Sequence, residues 1–312
     1  DYGPSLEHFQ RSIDIARRVN YQRGLVHASG DMAGVYWMQG DYYRAMEMLQ
    51  EALQAAMSIG YLHAAGVIVG NMGILYERVG ELDNALLCYT QGLYIAVELK
   101  NLASLILNLG NIAHLHTLQM NYDMADTLFQ HVLSVEEAVG DLKNLAMDLC
   151  RRAEALFLLQ RYKDAQIMNN KALSTAREAK NIQIIFDSHL QAIRLELQRG
   201  HIETSLGCRQ LRSMLTTWQE DGERAAIFYD IWRIDHQNTD AREVALRIYR
   251  ELYEHTRDFT YRQRYQELTG EWLCAPDPLP LMPEIVAREG MRVEDLLMRV
   301  DLLVQQIGAD AW

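Results

Sequence analysis

The sequence predicts an all-α fold, a right-handed superhelical solenoid of two-helix repeats, on three observations. A small residue recurs every 40 positions, at Ala45, Ala85, Ala125, Ala165, Ser205 and Ala245, and Ser5 extends the series backwards. Each unit holds two runs of apolar residues at helical spacing. Residues that end helices punctuate the runs: Gly40-Asp41, Gly80-Glu81, Met120-Asn121 and Gly200-His201 within units, and Gly60, Gly140-Asp141 and Asn181 between them. One helical pair of this size cannot bury its apolar face alone, so neighbouring pairs must stack.

Taken in order, residues 5–19 (Ser5, Phe9, Ser12, Ile13, Ala16) match only the second helix of a unit. The chain is therefore expected to begin mid-repeat, as a fragment of a larger protein, an expectation that its opening on Asp1 without an initiator methionine supports. The first helices of successive units carry Gly30, Gly70 and Gly110, then Ala33, Gly73, Ala113 and Ala153, then Tyr36, Tyr76 and His116. In the second unit Ile74, Leu75 and Val79 lead to Gly80-Glu81, after which Ala85, Leu86, Tyr89, Leu93 and Val97 resume helical spacing. Small residues at the glycine and alanine positions let two helices approach closely, with Tyr and Leu filling the space beside them. Units five and six decay, through Ile193, Ser205, Arg209 and Arg212, then Arg233, Ala245, Tyr249 and Leu252.

Tyr261–Leu273 reads as a last first helix, with Gly270 in the phase of Gly30, stopping at Pro276. Residues 275–280 then form an extended linker, because successive prolines exclude helix. Val293, Leu296, Leu297, Val300, Leu303, Val304 and Ile307 make an amphipathic helix beyond it. The expected organisation is a repeat array over 1–275, about six repeats, and a Pro-rich linker with a C-terminal amphipathic helix over 276–312. That helix is expected to cap the unpaired Tyr261–Leu273 helix, with pairing between molecules, a possible homodimer, as the second option.

These residues resemble the tetratricopeptide repeat family. Unit two carries the resemblance in Gly73, Tyr76, Gly80, Ala85, Tyr89, Gly92 and Leu93, and unit one in Ala33, Tyr36, Gly40, Ala45, Leu49, Ala52 and Leu53. Unit three keeps Ala113, Ala125, Phe129 and Leu133; unit four keeps Ala153, Tyr162, Ala165, Ala172 and Leu173. The 40-residue period is similar to the longer variant found in kinesin light chains, in animal Leu-Gly-Asn-repeat scaffolds and in sensor regions of bacterial signalling ATPases.

Composition narrows the function classes. Of 312 residues 49% are hydrophobic and only 5 are proline, enough apolar matter for a core. The net charge of −12 falls mostly in residues 1–140 and repels phosphate backbones and anionic lipid, so nucleic acid and membrane are not expected partners. Cys88, Cys150, Cys208 and Cys274 stand far apart with no Cys-x-x-Cys pair, which points to a reduced, cytoplasmic setting.

No chemistry-bearing constellation emerges. The glycines of residues 66–73 lack the lysine and Ser/Thr of a phosphate loop and lie in a helical pattern, so helix packing accounts for them better. His114 and His116 diverge on a helix, unlike an i,i+4 ligand pair. No serine or cysteine sits in a nucleophile elbow. The expectation is a non-enzyme without cofactor or metal.

A binding surface is more credible. In the family the first helices line a concave groove, and the residue two before the small position points into it. The resemblance thus assigns Asp31, Asn71, Asn111, Arg151 and Gln191 to the groove, a polar series that ends at Ile231. Amide side chains offer donor and acceptor together, so a ladder of them can clamp a peptide backbone, while Gly30, Gly70 and Gly110 would leave room for it. The competing account is that these residues only solvate the groove or bond neighbouring helices. Trp37, Arg78, His114, Glu154, Phe157 and Arg194 occupy neighbouring positions, and an anionic end of the ligand would lie toward Arg151 and Arg194. Only Asn71 and Asn111 match the chaperone-tail carboxylate clamp, which disfavours that ligand. The expected function is a protein-protein interaction module that binds a peptide or partner segment, as a regulatory fragment of a larger bacterial protein. The alternative is a ligand-sensing region that controls a separate signalling ATPase or transcription-regulator domain.

Overall fold

The computed structural model describes residues 2–140, 142–282 and 293–310. Among them the chain is all-helical, without a strand. The helices run α1 (Gly3–Arg18), α2 (Gln22–Met38), α3 (Tyr42–Ser58), α4 (Leu62–Val79), α5 (Leu82–Glu98), α6 (Leu102–Leu118), α7 (Tyr122–Val139) and α8 (Leu142–Leu158). Then come α9 (Tyr162–Glu178), α10 (Ile182–Gln198), α11 (Thr204–Met214), α12 (Asp221–Ile234), α13 (Thr239–Thr256), α14 (Phe259–Thr269) and α15 (Val293–Asp310).

The turns set this spacing. Asn20, Gly40, Gly60, Gly80, Lys100, Met120, Gly140, Gln160, Lys180 and Gly200 all have positive φ, between 51° and 86°, so a left-handed residue ends a helix at every twentieth position. After most of them the following N–H bonds a carbonyl five residues back, as Glu81 N does to Tyr76 O at 2.8 Å and Asn121 N to His116 O at 2.8 Å. That is the Schellman closure, which satisfies carbonyls the helix end would otherwise leave open. Asp41, Asn101 and Asn181 then cap the next helix, their side chains accepting from the amides of Arg44, Ser104 and Ile184.

The small positions pack as their spacing predicts. Ala45, Ala85, Ala125, Ala165 and Ala245 are all buried. At Gly73 a Cβ would stand 2.6 Å from the Tyr89 ring, so the glycine of one helix is the socket for the tyrosine of the next. Ser205 departs from the series. It is exposed, whereas Gly207 and Cys208 are buried, with the Leu197 side chain 3.0 Å from where a Gly207 Cβ would lie. The cause is that α11 starts at Thr204 rather than at position 202, which turns the helix by two residues. The helix expected over Tyr261–Leu273 is instead α14, which stops at Thr269 because Gly270 takes φ 80°; Trp272 and Leu273 lie outside it.

Two compact units divide the chain. The first comprises residues to Asn111, the turn His255–Phe259 and Ala275–Gln306. Its core is built around the fully buried Tyr76 and Tyr89. The α6 side chain Asn108 stands within 3.0 Å of where a Cβ on Gly92 of α5 would sit and 3.3 Å from one on Gly70 of α4, so this glycine pair makes room for an amide. Phe259 packs on Gly80, and Asp258 pairs with Arg78 at 2.8 Å.

The C-terminal segment also belongs to this unit. Leu279 is buried and its amide donates to Glu81 Oε1 at 2.9 Å; in α15, Leu296 and Val300 are buried and Arg299 pairs with Glu98 at 3.0 Å. The described partners of this segment lie on α3, on α4 and along α5 from its N-cap Glu81. The side chains of Val304 and Ile307 lie outside the described residues.

The second unit, Ile112–Glu254 with Thr260–Cys274, continues the pairs through α10 and then changes character. Phe186, Leu190, Cys208, Leu211, Ile227 and Ile231 form one cluster; Ala225, Tyr229, Ala245, Ile248, Tyr249 and Leu268 form another.

Candidate peptide-binding surface

In the first unit, α2, α3 and α4 enclose a cleft of about 200 Å³. Its walls are Gly30, Ala33, Gly34 and Trp37 from α2, Ala45 and Leu49 from α3, and Asn71, Ile74 and Leu75 from α4. Residues 30, 34 and 37 share one face of α2 because they are spaced four and three apart. Nothing stands within 4 Å of a Cβ at either Gly30 or Gly34, so the floor is open. Trp37, 43% exposed, offers a large apolar plane, and Asn71, also exposed, brings an amide to the same cleft. An apolar pocket with one convergent amide can take a side chain and orient the main chain that carries it.

Of the other residues expected in the groove, Asp31 is exposed beside Gly30, and Asn111 is half-buried. Gly70 leaves less room than expected of it, because Asn108 Oδ1 lies 3.3 Å from where its Cβ would be. Arg78 is held by Asp258: burial works against the guanidinium charge, but the Asp258 carboxylate outweighs it and moves the Arg78 pKa up. That partner lies 180 residues away in sequence and no periodic signal announces it.

In the second unit, His114 is half-buried and Arg151 lies 3.6 Å from Asp148. Arg194 is bound twice by Asp230, Nε and Nη2 each donating at 2.8 Å, and its Nη1 reaches Gln191 Oε1 at 3.4 Å. Burial again opposes the Arg194 charge and Asp230 again prevails, raising its pKa. Phe157, Arg194, Asp230 and Arg233 line a cavity of about 490 Å³, which brings the expected Phe157 and Arg194 together. Both arginines expected to receive an anionic ligand thus already face carboxylates. Asp230 was missed by the sequence reading because it belongs to the irregular region, where the phase stops assigning faces.

Among the described residues no group of three His, Cys, Asp or Glu side chains gathers as metal ligands would. No helix there is long and apolar enough to cross a membrane.

Residues 25–96 match the family model described as tetratricopeptide repeat. No curated protein matches the sequence. Solved structures match the fold at low identity. A Rap protein complexed with competence and sporulation factor superposes with a TM-score of 0.63 at 15% identity, covering 84% of this chain and 71% of that one. The apo form of the quorum sensor NprR from B. thuringiensis gives 0.62 at 13%, covering 80% and 70%. The apo form of RapI gives 0.60 at 14%, covering 83% and 90%. The repeating two-helix unit, its small-residue sockets, the family-model match over residues 25–96 and the solved structures agree on one fold: the chain is built as a tetratricopeptide-repeat-like helical array.

Proposed function

We propose that the chain is a peptide-binding module whose first unit seats an apolar side chain of its ligand against Trp37 and holds the adjoining ligand backbone through the Asn71 amide. The observation that carries this reading is the cleft itself, apolar, open over Gly30 and Gly34, and flanked by an exposed tryptophan and an exposed amide. Burying a tryptophan face against a ligand is a common source of binding energy at interfaces. The likeness to a Rap protein in complex with competence and sporulation factor and to the quorum sensor NprR supports a regulatory role of this kind. The buried thiols of Cys88 and Cys208, outside any disulfide, support a reducing, cytoplasmic setting.

The test uses peptides selected from a random library against the whole chain, with affinity measured by calorimetry. Trp37→Ala should weaken the selected peptides by about tenfold or more, as loss of a central aromatic contact does. Trp272→Ala, at an exposed position in the second unit, should leave them unchanged. Peptides that bind Trp37→Ala as well as the parent would refute the assignment.

A further inference from the structure

Three consecutive residues of the C-terminal segment, Leu279, Pro280 and Leu281, are held in the first unit by their main chain. The Leu279 amide donates to Glu81 Oε1 at 2.9 Å, and Glu81 is itself steadied by Asn84, whose amide donates to Oε2 at 2.6 Å. The Tyr76 hydroxyl donates to the Pro280 carbonyl at 2.7 Å. Gln50 Nε2 donates to the Leu281 carbonyl at 2.9 Å. Three helical elements, α3, α4 and the start of α5, thus present one side chain each to a non-helical stretch of chain.

Side-chain contacts add selectivity. Leu279 is buried, and the Cys88 thiol on α5 donates to the Met282 sulfur at 3.2 Å. Pro278 and Pro280 exclude helix and restrict the free segment, which lowers the cost of ordering it. Main-chain hydrogen bonds supply affinity and apolar sockets supply choice, the general logic of peptide recognition. None of Gln50, Tyr76 and Glu81 lines the cleft at Trp37, so what they build is separate from it.

We infer that Gln50, Tyr76 and Glu81 form a second peptide site, selective for a non-helical, proline-containing apolar segment, and that Leu279–Met282 is its tethered resident ligand. Tethering gives the resident an effective concentration on the order of millimolar, so an untethered peptide gains the site only once the resident is weakened. Cys88 reports occupancy: it is buried beneath the segment, and burial pushes its pKa up to about 12, which suppresses reaction with alkylating reagents.

The experiment follows alkylation of Cys88 in the full chain by mass spectrometry, with buried Cys208 as internal control. In Leu279→Asp, Cys88 should react at least about tenfold faster while Cys208 keeps its rate. A synthetic peptide of residues 275–282, added at up to about 1 mM, should restore protection, and should fail to do so when Tyr76→Phe is added. An unchanged Cys88 rate in Leu279→Asp, or no restored protection, would overturn the assignment. If Cys208 accelerates too, the fold has loosened and Tyr76→Phe alone decides by hydrogen exchange. Faster exchange of the Leu279 amide, which is held by Glu81, with unaltered α4 amides upholds the site; unaltered Leu279 exchange rejects it. Trp37→Ala should leave Cys88 alkylation as in the parent, which separates this result from the fate of the cleft.

Discussion

Residues 20–200 and residues 201–274 are both helical, yet they are organised differently. In the first stretch every helix has 17 or 18 residues and a left-handed residue closes it. In the second, α11, α12, α13 and α14 have 11, 14, 18 and 11 residues, and only Arg257 and Gly270 take positive φ. Position 220, where the next closure would fall, is Glu220 with φ −63°, the start of a capping box with Glu223; Asp240 lies inside α13. Composition of the helices does not make the array regular. The spacing of the turns does, and once a turn is missed the helices are placed by individual side-chain partnerships instead. The rings of Phe186 and Trp218, Tyr229 and Tyr249, and Tyr249 and Tyr261 meet there, and Arg264 joins Tyr229 and Glu267.

The sharpest test of that contrast is overpacking at two positions of the same sequence phase. Ala85→Trp, in a fully buried socket, should cost roughly 3 kcal/mol, whereas Ser205→Trp, turned outward by the slip of α11, should change stability by less than about 0.5 kcal/mol, both read from urea unfolding. Equal losses would mean that the phase survives position 200.

At the junction, Asp187 of α10 has its pKa raised to about 6, chiefly by burial, with Glu154 and Glu223 adding to it and the Gln183 amide opposing. A carboxyl raised in the folded state favours the protonated form. Its destabilisation is absent below the ordinary carboxylate value near 3.8, grows as pH rises, and is complete above about pH 6. Asp187→Asn should therefore stabilise the chain by roughly 1–2 kcal/mol at pH 7 and by little at pH 3.5, measured by thermal unfolding at both values. A gain independent of pH would show that the carboxylate is not the source.

The smallest effects concern the turns. Gly80→Ala should cost about 1–2 kcal/mol, because φ is 86° and the new Cβ would meet Phe259. Met120→Gly, which relieves the same backbone conformation at a 73% exposed residue, should be neutral or stabilising by up to about 1 kcal/mol. A clear loss in Met120→Gly would mean that its side chain contributes to the array.

Much of this was legible in the sequence because the repeat writes local rules many times over. The positions of Gly40, Gly60, Gly80, Gly140 and Gly200 marked helix ends, and Ala85 and Gly73 marked close approaches. At the surface, the family resemblance assigned Asn71 to a groove with Trp37 at a neighbouring position, and both line the cleft on which the proposed function rests. What the phase could not carry were single contacts between distant segments. The pair Arg78–Asp258 spans 180 residues and the Tyr76–Pro280 bond spans 204, separations that no 40-residue period encodes. The apolar stripe of α15 was readable; its destination on the first unit was not, because an amphipathic face records that a partner is needed without naming one.

The twentieth-residue closure also bears on how such a chain can change length. Because every regular helix ends on the same backbone device, a 40-residue cassette can be duplicated or lost at any of these turns and both neighbours remain in phase. Removal of 20 residues would instead place a second-helix surface where a first-helix surface belongs, setting Tyr89-type rings against others of their kind without a Gly73-type socket to receive them. Within residues 20–200 a change of length therefore keeps the phase only in multiples of 40 residues, counted from any of the ten turns.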